Sequence, residues 1–202
     1  MKRAVSIHQM MNTRFRELTF EDRWQQSFGQ PELTGAWLIW GPSGNGKTRF
    51  ALQLAKYLAT FGRVAYDSLE EGLSKALRMA IKETKMDDVK RKIIFLDKMT
   101  VDDLKLFLTK RRSADIVIID SLQYTGMNYR DYKEMIDAFR TKMFIIISHA
   151  DGREPAGRVA KSIRFDVSVK IRIEGFKAYP VSRYGGGEPF VIWEEGLTKI
   201  IN

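Results

Sequence analysis

The stretch Gly41-Pro42-Ser43-Gly44-Asn45-Gly46-Lys47-Thr48 fits the pattern G-x-x-x-x-G-K-[ST], and its two flanks give it a structural context. Residues 36–40, immediately before it, form a short apolar run that is typical of a buried parallel strand. Residues 49–58, after it, repeat apolar side chains at the spacing of one helical face. The sequence therefore predicts a strand, a glycine-rich loop and a helix in succession.

This order of elements is the one that binds the phosphates of a nucleotide. Glycines allow backbone N–H groups to approach phosphate oxygens, and the amino terminus of the helix adds partial positive charge. We expect all residues from Gly41 to Thr48 to contact the nucleotide, with Lys47 at the β- and γ-phosphates and the Thr48 hydroxyl on Mg²⁺. A glycine-rich turn that only caps the helix is the simpler alternative, but the full motif and both flanks argue against it.

Length and composition limit the class of protein. A chain of 202 residues is long enough for one α/β domain with a sizeable core. The absence of cysteine excludes disulfides and thiolate-bound metals. No apolar run is long enough to span a bilayer and no signal-peptide pattern opens the chain, so we expect a cytoplasmic protein without a membrane partner. The formal net charge of +9 favours a polyanionic partner such as nucleic acid, although charge alone does not identify one.

Residues 1–34 form a predicted helical arm that precedes the main domain, residues 35–202. Apolar side chains recur through the arm at roughly helical spacing, most regularly at Phe20, Trp24 and Phe28. The pattern leaves two interpretations open. The arm is either a helical flap packed on the chain's own sheet or a segment that docks on a neighbouring subunit.

After the glycine-rich loop, apolar runs alternate with helical patterns. Residues 63–67, 93–96, 115–120 and 143–148 are expected to be strands, with helices between them. This alternation predicts a mainly parallel central sheet that is flanked by helices. Residues 151–163 are rich in Gly, Arg and Lys, which indicates a loop that can include a short helix.

The last part of the chain changes character. Residues 167–173 alternate between apolar and polar side chains, as a half-exposed strand does. Residues 176–183 and 190–193 continue as antiparallel strands around a run of three glycines, Gly185-Gly186-Gly187. The sequence thus predicts a C-terminal antiparallel β extension of the same domain.

A carboxylate, Asp120, ends the predicted strand at residues 115–120. In nucleotide sites, an aspartate at the carboxyl end of such a strand holds Mg²⁺ directly or through water. A few hydrophobic residues and an aspartate are weak evidence alone, but here they follow a phosphate-binding loop in the right order. We therefore expect Thr48 and Asp120 to be the Mg²⁺ ligands.

These motifs together resemble the core of RecA-like P-loop ATPases, most closely the branch of RadA and the DnaB-type helicases. The resemblance covers about residues 35–195. Beside the phosphate loop it depends on Ser68-Leu69-Glu70, Asp120-Ser121-Leu122-Gln123 and Ser182-Arg183-Tyr184-Gly185. It implies a RecA-like P-loop NTPase core, ATP and Mg²⁺ as cofactors, and a short protein of bacterial or phage origin.

The resemblance also implies catalytic roles, beginning with Lys47 in the phosphate loop. Glu70 corresponds to the glutamate that activates the attacking water, and the adjacent acidic residue, Glu71, is the alternative. His149 corresponds to a polar sensor of the γ-phosphate, although a structural hydrogen bond explains a histidine at a strand end equally well. Arg183 corresponds to an arginine finger that reaches a neighbour's nucleotide, but a valine replaces the lysine that the family usually has two residues earlier.

In such proteins the loops after the fourth and fifth strands contact DNA, and here these are residues 123–130 and 150–164. Basic side chains interleaved with tyrosines suit single-stranded DNA, through phosphate pairing and base stacking. A solvated basic loop is the simpler alternative, and a binding loop of this kind is expected to order only on contact. The residues predicted to contact DNA are Arg130, Arg153, Arg158, Lys161 and Arg164.

The sequence therefore favours an ATP-hydrolysing protein that acts on single-stranded DNA as a homo-oligomer, in recombination or replication. A second interpretation is a nucleotide-switched assembly protein with slow hydrolysis, such as a helicase loader or a transposition regulator. A small-molecule kinase also uses a phosphate loop, but the order of the strands and the late antiparallel strands count against it.

Overall fold

The computed structural model describes residues 4–201, so residues 1–3 of the predicted N-terminal arm and residue 202 lie outside the described part of the chain. The strands are β1 (Gly35–Gly41), β2 (Val64–Ser68), β3 (Ile93–Asp97), β4 (Ile116–Asp120), β5 (Met143–Asp151), β6 (Glu154–Pro155), β7 (Val169–Glu174), β8 (Lys177–Ser182) and β9 (Phe190–Val191). The helices are α1 (Ile7–Met11), α2 (Asp22–Phe28), α3 (Lys47–Leu58), α4 (Lys75–Glu83), α5 (Val101–Thr109), α6 (Tyr129–Ala138), α7 (Gly157–Asp166) and α8 (Glu194–Ile201). Along residues 4–201, none of these helices has the length and apolar character that crossing a bilayer requires.

The strands form one sheet in the order β3-β2-β4-β5-β1-β7-β8-β9, and the short β6 pairs with the end of β5. From β3 to β7 all neighbours are parallel, whereas β8 and β9 extend the sheet as antiparallel strands. The predicted fold class, a parallel core with a C-terminal antiparallel extension, is therefore confirmed. The carboxyl ends of β1, β2, β4 and β5 meet at one edge of the sheet, which is where a ligand binds in sheets of this kind.

Both faces of the sheet are covered, because the central strands are apolar along their whole length. In β1, Trp37 and Ile39 pack into the cluster on one face, which includes side chains from α3. Leu38 and Trp40 pack into the cluster on the other face, with side chains from α5, α6 and α7. These two layers hold the strand ends, and the loops that follow them, in fixed positions.

The predicted N-terminal arm has two parts that pack differently. Trp24 and Phe28 of α2 are buried, and the Trp24 ring stacks on Tyr57 of α3 with centroids 4.7 Å apart. This part of the arm is a flap on the chain's own sheet. No residue of α1 is buried, and Ile7 and Met11 are 84% and 80% exposed. Within residues 4–17 the structure therefore contains one short helix, α1, and its apolar side chains contact solvent.

Residues 151–163, where the sequence indicates a loop that can include a short helix, do contain a helix, since residues 157–163 form most of α7. Ala160 and Ile163 are buried, as is Val167 directly after the helix, and all three pack into the same apolar cluster. Their spacing of three and four residues is that of one helical face. Lys161 and Arg164 lie between these apolar positions, so the composition indicated a loop and left the extent of the helix open.

Candidate functional site

The loop between β1 and α3 has a backbone conformation that depends on its glycines. Gly44 and Gly46 have φ angles of 73° and 95°, in the left-handed region that side chains rarely adopt. A Cβ atom on Gly41 would lie 2.3 Å from the carbonyl oxygen of Ile173, so the position requires glycine. The helix α3 begins at Lys47, directly after these glycines. A glycine-rich loop that opens a helix in this way binds phosphate with its backbone amides.

The Lys47 ammonium group lies on the loop itself. Its Nζ atom donates hydrogen bonds to the carbonyl oxygens of Gly41 and Pro42, at 2.8 and 2.9 Å. Burial lowers the pKa of Lys47, while the nearby carboxylates of Asp120 and Glu70 raise it. The lysine therefore sits between the loop and the acidic strand ends, which is the position that the phosphate-loop pattern predicts for it.

Asp120 ends β4 and is fixed from two sides. The Tyr66 hydroxyl donates a hydrogen bond of 2.5 Å to its Oδ2 atom, and its backbone carbonyl accepts one of 3.1 Å from the N–H of Glu70. Burial raises the pKa of Asp120 to about 6, and Glu70 and Glu71 add to the rise, whereas the Tyr66 hydrogen bond and the Lys47 charge oppose it. A bound cation stabilises the ionised form of such a buried carboxylate, so the position fits a Mg²⁺ ligand.

Glu70 and His149 lie on either side of Asp120, because β4 runs between β2 and β5 in the sheet. The Nε2 atom of His149 is 3.2 Å from Oε2 of Glu70 and 3.4 Å from Oγ of Ser121. The side chains of His149 and Glu70 are 37% and 44% exposed, so both are accessible to a substrate and to water. The structure thus brings these predicted catalytic side chains together, and their roles in catalysis stay predictions.

The phosphate loop and the acidic strand ends line a single cleft of about 560 Å³, a volume typical of small-molecule sites. It is also lined by two side chains that sequence reasoning did not single out, Arg49 and Phe176. The cleft offers a lysine and a hydroxyl at the loop and a carboxylate opposite them, which fits the donor set of a magnesium–nucleotide complex. The predicted residues that line it are Ser43, Gly44, Gly46, Lys47, Thr48, Glu70, Asp120 and His149.

Sequence reasoning did not single out Tyr66, described above, and it named Gln123 only as part of Asp120-Ser121-Leu122-Gln123 and of the loop at residues 123–130, without a role in the site. The Gln123 amide nitrogen donates hydrogen bonds to Oγ of Ser148 at 2.8 Å and to the carbonyl oxygen of Ala156 at 3.1 Å. Its Oε1 atom accepts a hydrogen bond from the backbone N–H of His149 at 3.2 Å. Gln123 therefore joins the loop after β4 to the end of β5 and to the start of α7. Their contacts could not be predicted from a local pattern, because their partners are far away along the chain.

Arg183 lies away from this cleft. Ser182, before it, pairs with Val169, and Val169 pairs with Trp37 near the start of β1. The phosphate loop follows the opposite end of β1, so Arg183 is at the amino-terminal edge of the parallel strands. It therefore does not contact a nucleotide in the cleft of its own chain, and its predicted action on a neighbour's nucleotide stays a prediction.

Many of the basic residues that were predicted to contact DNA face carboxylates of their own surface. Ion pairs join Arg130 to Glu134, Lys161 to Asp151 and Arg164 to Glu154. Arg153 and Arg158 are exposed, and neither takes part in an ion pair within residues 4–201. The segment that carries most of these residues is helical in the chain alone, whereas the sequence predicted ordering only on contact. DNA contact at this surface stays a prediction.

No protein-family model and no curated protein matches the chain. Solved structures do resemble it. The flagellar accessory protein FlaH of Methanocaldococcus jannaschii has a TM-score of 0.60 and 17% identity over 88% of this chain and 97% of that chain. The KaiC-like protein PH0186 of Pyrococcus horikoshii OT3 has a TM-score of 0.56 and 18% identity over 79% of this chain and 84% of that chain. At these identities the likeness shows the fold alone, which is RecA-like, and membership of the RadA and DnaB-type branch stays a prediction.

Proposed function

We propose that this protein binds ATP with Mg²⁺ in the cleft at the carboxyl ends of the strands and hydrolyses the terminal phosphate. The observation that carries the proposal is the convergence of Lys47 at the start of α3, Glu70 in the turn after β2 and Asp120 at the end of β4 on one cleft. A lysine, a general base and a carboxylate for Mg²⁺ are the side chains that phosphoryl transfer to water requires. The likeness to solved RecA-like structures supports the same class of chemistry.

The roles of the side chains follow from their positions. Lys47 and the loop amides bind the phosphates, and Thr48 and Asp120 would hold Mg²⁺, which supplies neutralisation of the phosphate charge. Glu70 accepts the proton of the attacking water or orients that water. His149, with its Nε2 atom 3.2 Å from the Glu70 carboxylate, orients that carboxylate.

Measurement of phosphate release from ATP tests this function directly. We expect hydrolysis that depends on Mg²⁺ and that Lys47→Ala abolishes, because the lysine charge is lost from the phosphate site. Lys75→Ala is the matched control, since Lys75 is an exposed lysine at the start of another helix. The proposal fails if the wild-type protein does not hydrolyse ATP, or if Lys47→Ala retains full activity.

We extend the proposal to single-stranded DNA as the macromolecular substrate, with the protein acting as a homo-oligomer in recombination or replication. The net charge of +9 supports it, as do exposed Arg153, Arg158 and Tyr124 at the same edge of the sheet as the nucleotide cleft. Single-stranded DNA is expected to raise ATP turnover and to increase oligomer size. If it changes neither, the DNA part of the proposal is wrong and the ATPase part stands.

The N-terminal segment favours a second candidate, a nucleotide-switched assembly protein. Its apolar side chains, among them Ile7 and Met11, contact solvent, and burying them against a partner is energetically favourable. In this case a non-hydrolysable ATP analogue increases particle size without DNA, as measured by light scattering. The double variant Ile7→Asp/Met11→Asp should then remain small with the analogue while still hydrolysing ATP. A particle size that depends only on DNA would argue against this candidate.

A further inference from the structure

The tip of the β7–β8 hairpin forms one end of the nucleotide cleft. Glu174 pairs with Lys177, so Gly175 and Phe176 are the two residues of the turn. Their φ angles are 55° and 56°, both in the left-handed region, as a two-residue turn of type I′ requires. Glycine or asparagine normally occupies these positions, and a bulky side chain there is strained. Such strain at a cleft points to a functional reason for the aromatic residue.

The surroundings of Phe176 hold its ring in place. The Asn45 side chain of the phosphate loop accepts a hydrogen bond of 2.8 Å from the backbone N–H of the other turn residue. A Cβ atom on Gly46 would lie 3.0 Å from one side of the ring, and a Cβ atom on Gly196 would lie 2.8 Å from the other side. Trp193 packs edge-on, with centroids 5.1 Å apart. Both glycines therefore make room for this ring, which lies beside the phosphate loop and lines the cleft.

The order of the sheet sets the direction in which a nucleotide lies. Glu70 follows β2 and Asp120 ends β4, on one side of β1, and Phe176 follows β7, on the other side. Three strand intervals separate β4 from β7, which corresponds to about 14 Å at the usual spacing of strands. A triphosphate whose terminal phosphate is at Lys47 and the carboxylates, and which crosses the loop, therefore directs its base toward Phe176.

We propose that Phe176 is the surface on which the base of the bound nucleotide stacks. This inference rests on the proposed function, because it assumes that a nucleotide occupies the cleft. Stacking uses the π-face that every base has, so it provides affinity with little discrimination between purines. The neighbouring Arg49 pairs with Glu83 and lies 4.7 Å over the Trp193 ring, so its guanidinium group is already engaged by protein groups. The cleft should therefore accept ATP and GTP with similar affinities.

Calorimetric titration with MgATP, MgGTP and magnesium tripolyphosphate separates base binding from phosphate binding. Phe176→Leu keeps an apolar side chain at the same turn position but removes the π-face. We expect it to weaken ATP and GTP binding by about 10- to 100-fold, and to change tripolyphosphate binding by less than about twofold. Phe176→Tyr is the matched control, because it keeps the ring and should bind ATP like the wild type.

Several results would overturn the inference. The inference fails if Phe176→Leu binds ATP with the affinity of the wild type. It also fails if the variant loses affinity for ATP and for tripolyphosphate equally, because Phe176 would then only support the loop. Wild-type protein that binds GTP more than about 100-fold more weakly than ATP would also contradict stacking as the main contact. If Lys47→Ala leaves the binding of both ATP and tripolyphosphate unchanged, the cleft is not the nucleotide site and the proposed function fails too.

A second measurement covers the case in which Phe176→Leu does not fold, which thermal unfolding without ligand would reveal. Photolabelling of the wild-type protein with 8-azido-ATP attaches the base to the residues beside it. Label on the peptide that contains Phe176 supports the inference if ATP competes it away. The same peptide should still be labelled in the Lys47→Ala variant when the reagent is saturating. Label on a different segment overturns it.

Discussion

The nucleotide cleft can be compared with the surface around α7, meaning the predicted DNA-contact residues Arg130, Arg153, Arg158, Lys161 and Arg164 and their neighbours. Both regions carry many charged side chains, but these charges face different partners. In the cleft, Lys47, Glu70 and Asp120 line a common space. On the surface around α7, basic side chains pair instead with carboxylates of that same surface, as Lys161 does with Asp151 at 3.5 Å. Charges that converge on a cleft are available to a substrate, whereas exposed pairs contribute little to binding a polyanion.

Burial separates the two regions further. Asp120 is buried deeply enough for its pKa to rise to about 6, whereas the side chain of Arg130 is 85% exposed beside its partner Glu134. Water and salt screen charges at an exposed surface but act less on a buried group. Substitutions in the cleft should therefore change the chemical step, and substitutions around α7 should change the salt dependence of binding.

The largest effect that distinguishes the two regions is expected from Glu70→Gln. The amide cannot accept a proton, so ATP turnover should fall by about 10²- to 10⁴-fold while ATP binding changes little. Glu71→Gln is the matched control on the adjacent residue, and it should reduce turnover by less than about tenfold. Single-turnover phosphate release measures both variants. The reverse order of effects would assign the base to Glu71, and equal effects would remove both from that role.

Asp120→Asn should combine a loss of activity with a gain in stability. Turnover should fall about 100-fold, because the amide is a poor Mg²⁺ ligand. The pKa of Asp120 is raised from 3.8 to about 6, about two units, so the ionised carboxylate costs the folded state about 3 kcal/mol. Because the folded pKa lies above the unfolded one, wild-type stability falls as pH rises from about 4 to 6.

Urea unfolding of the Asp120→Asn variant tests the sign of this linkage. The gain over wild type should approach about 3 kcal/mol at pH 8 and should be about half as large at pH 5. Tyr66→Phe is a useful companion, because it removes the hydroxyl that stabilises the carboxylate and should therefore destabilise the protein most at pH 8. A gain for Asp120→Asn that does not depend on pH would contradict the assigned cause.

The cleft could be predicted from the sequence because its parts are local patterns. Gly41 to Thr48 form a contiguous motif, and Asp120 follows a contiguous apolar strand, so each part is visible without knowledge of its neighbours. Tyr66 and Gln123 act through partners 54 and 25 to 33 residues away, and such pairings become visible only when the sheet is assembled. The extent of α7 was not predicted for a different reason, because its narrow apolar face is diluted by glycine and basic residues.

Gln123 connects the two compared regions, so its substitution tests whether they act together. Gln123→Leu removes the hydrogen bonds to Ser148, His149 and Ala156, and turnover should fall by about tenfold with little change in KM. Hydrogen exchange at the start of α7 should become faster. Gln123→Glu keeps the acceptor for the His149 N–H but loses both donor contacts. If it behaves like the wild type in both assays, the link to α7 has no functional role.

The smallest effect is expected from substitutions at the surface around α7. There the salt dependence of DNA binding should distinguish cations with an ion-pair partner from cations without one. Arg158 is exposed and has no ion pair within the described chain, so Arg158→Ala should weaken single-stranded DNA binding several-fold and lower the salt slope by about 0.7. Lys161→Ala removes a cation that Asp151 already neutralises. The salt slope of DNA binding should therefore change by less than half as much as in Arg158→Ala. Fluorescence anisotropy at several salt concentrations measures both slopes, and ATP turnover without DNA should be unchanged in both variants. Equal slopes for the two variants would mean that DNA displaces Asp151 from Lys161, and the ion pairs would then be no guide to which cations bind.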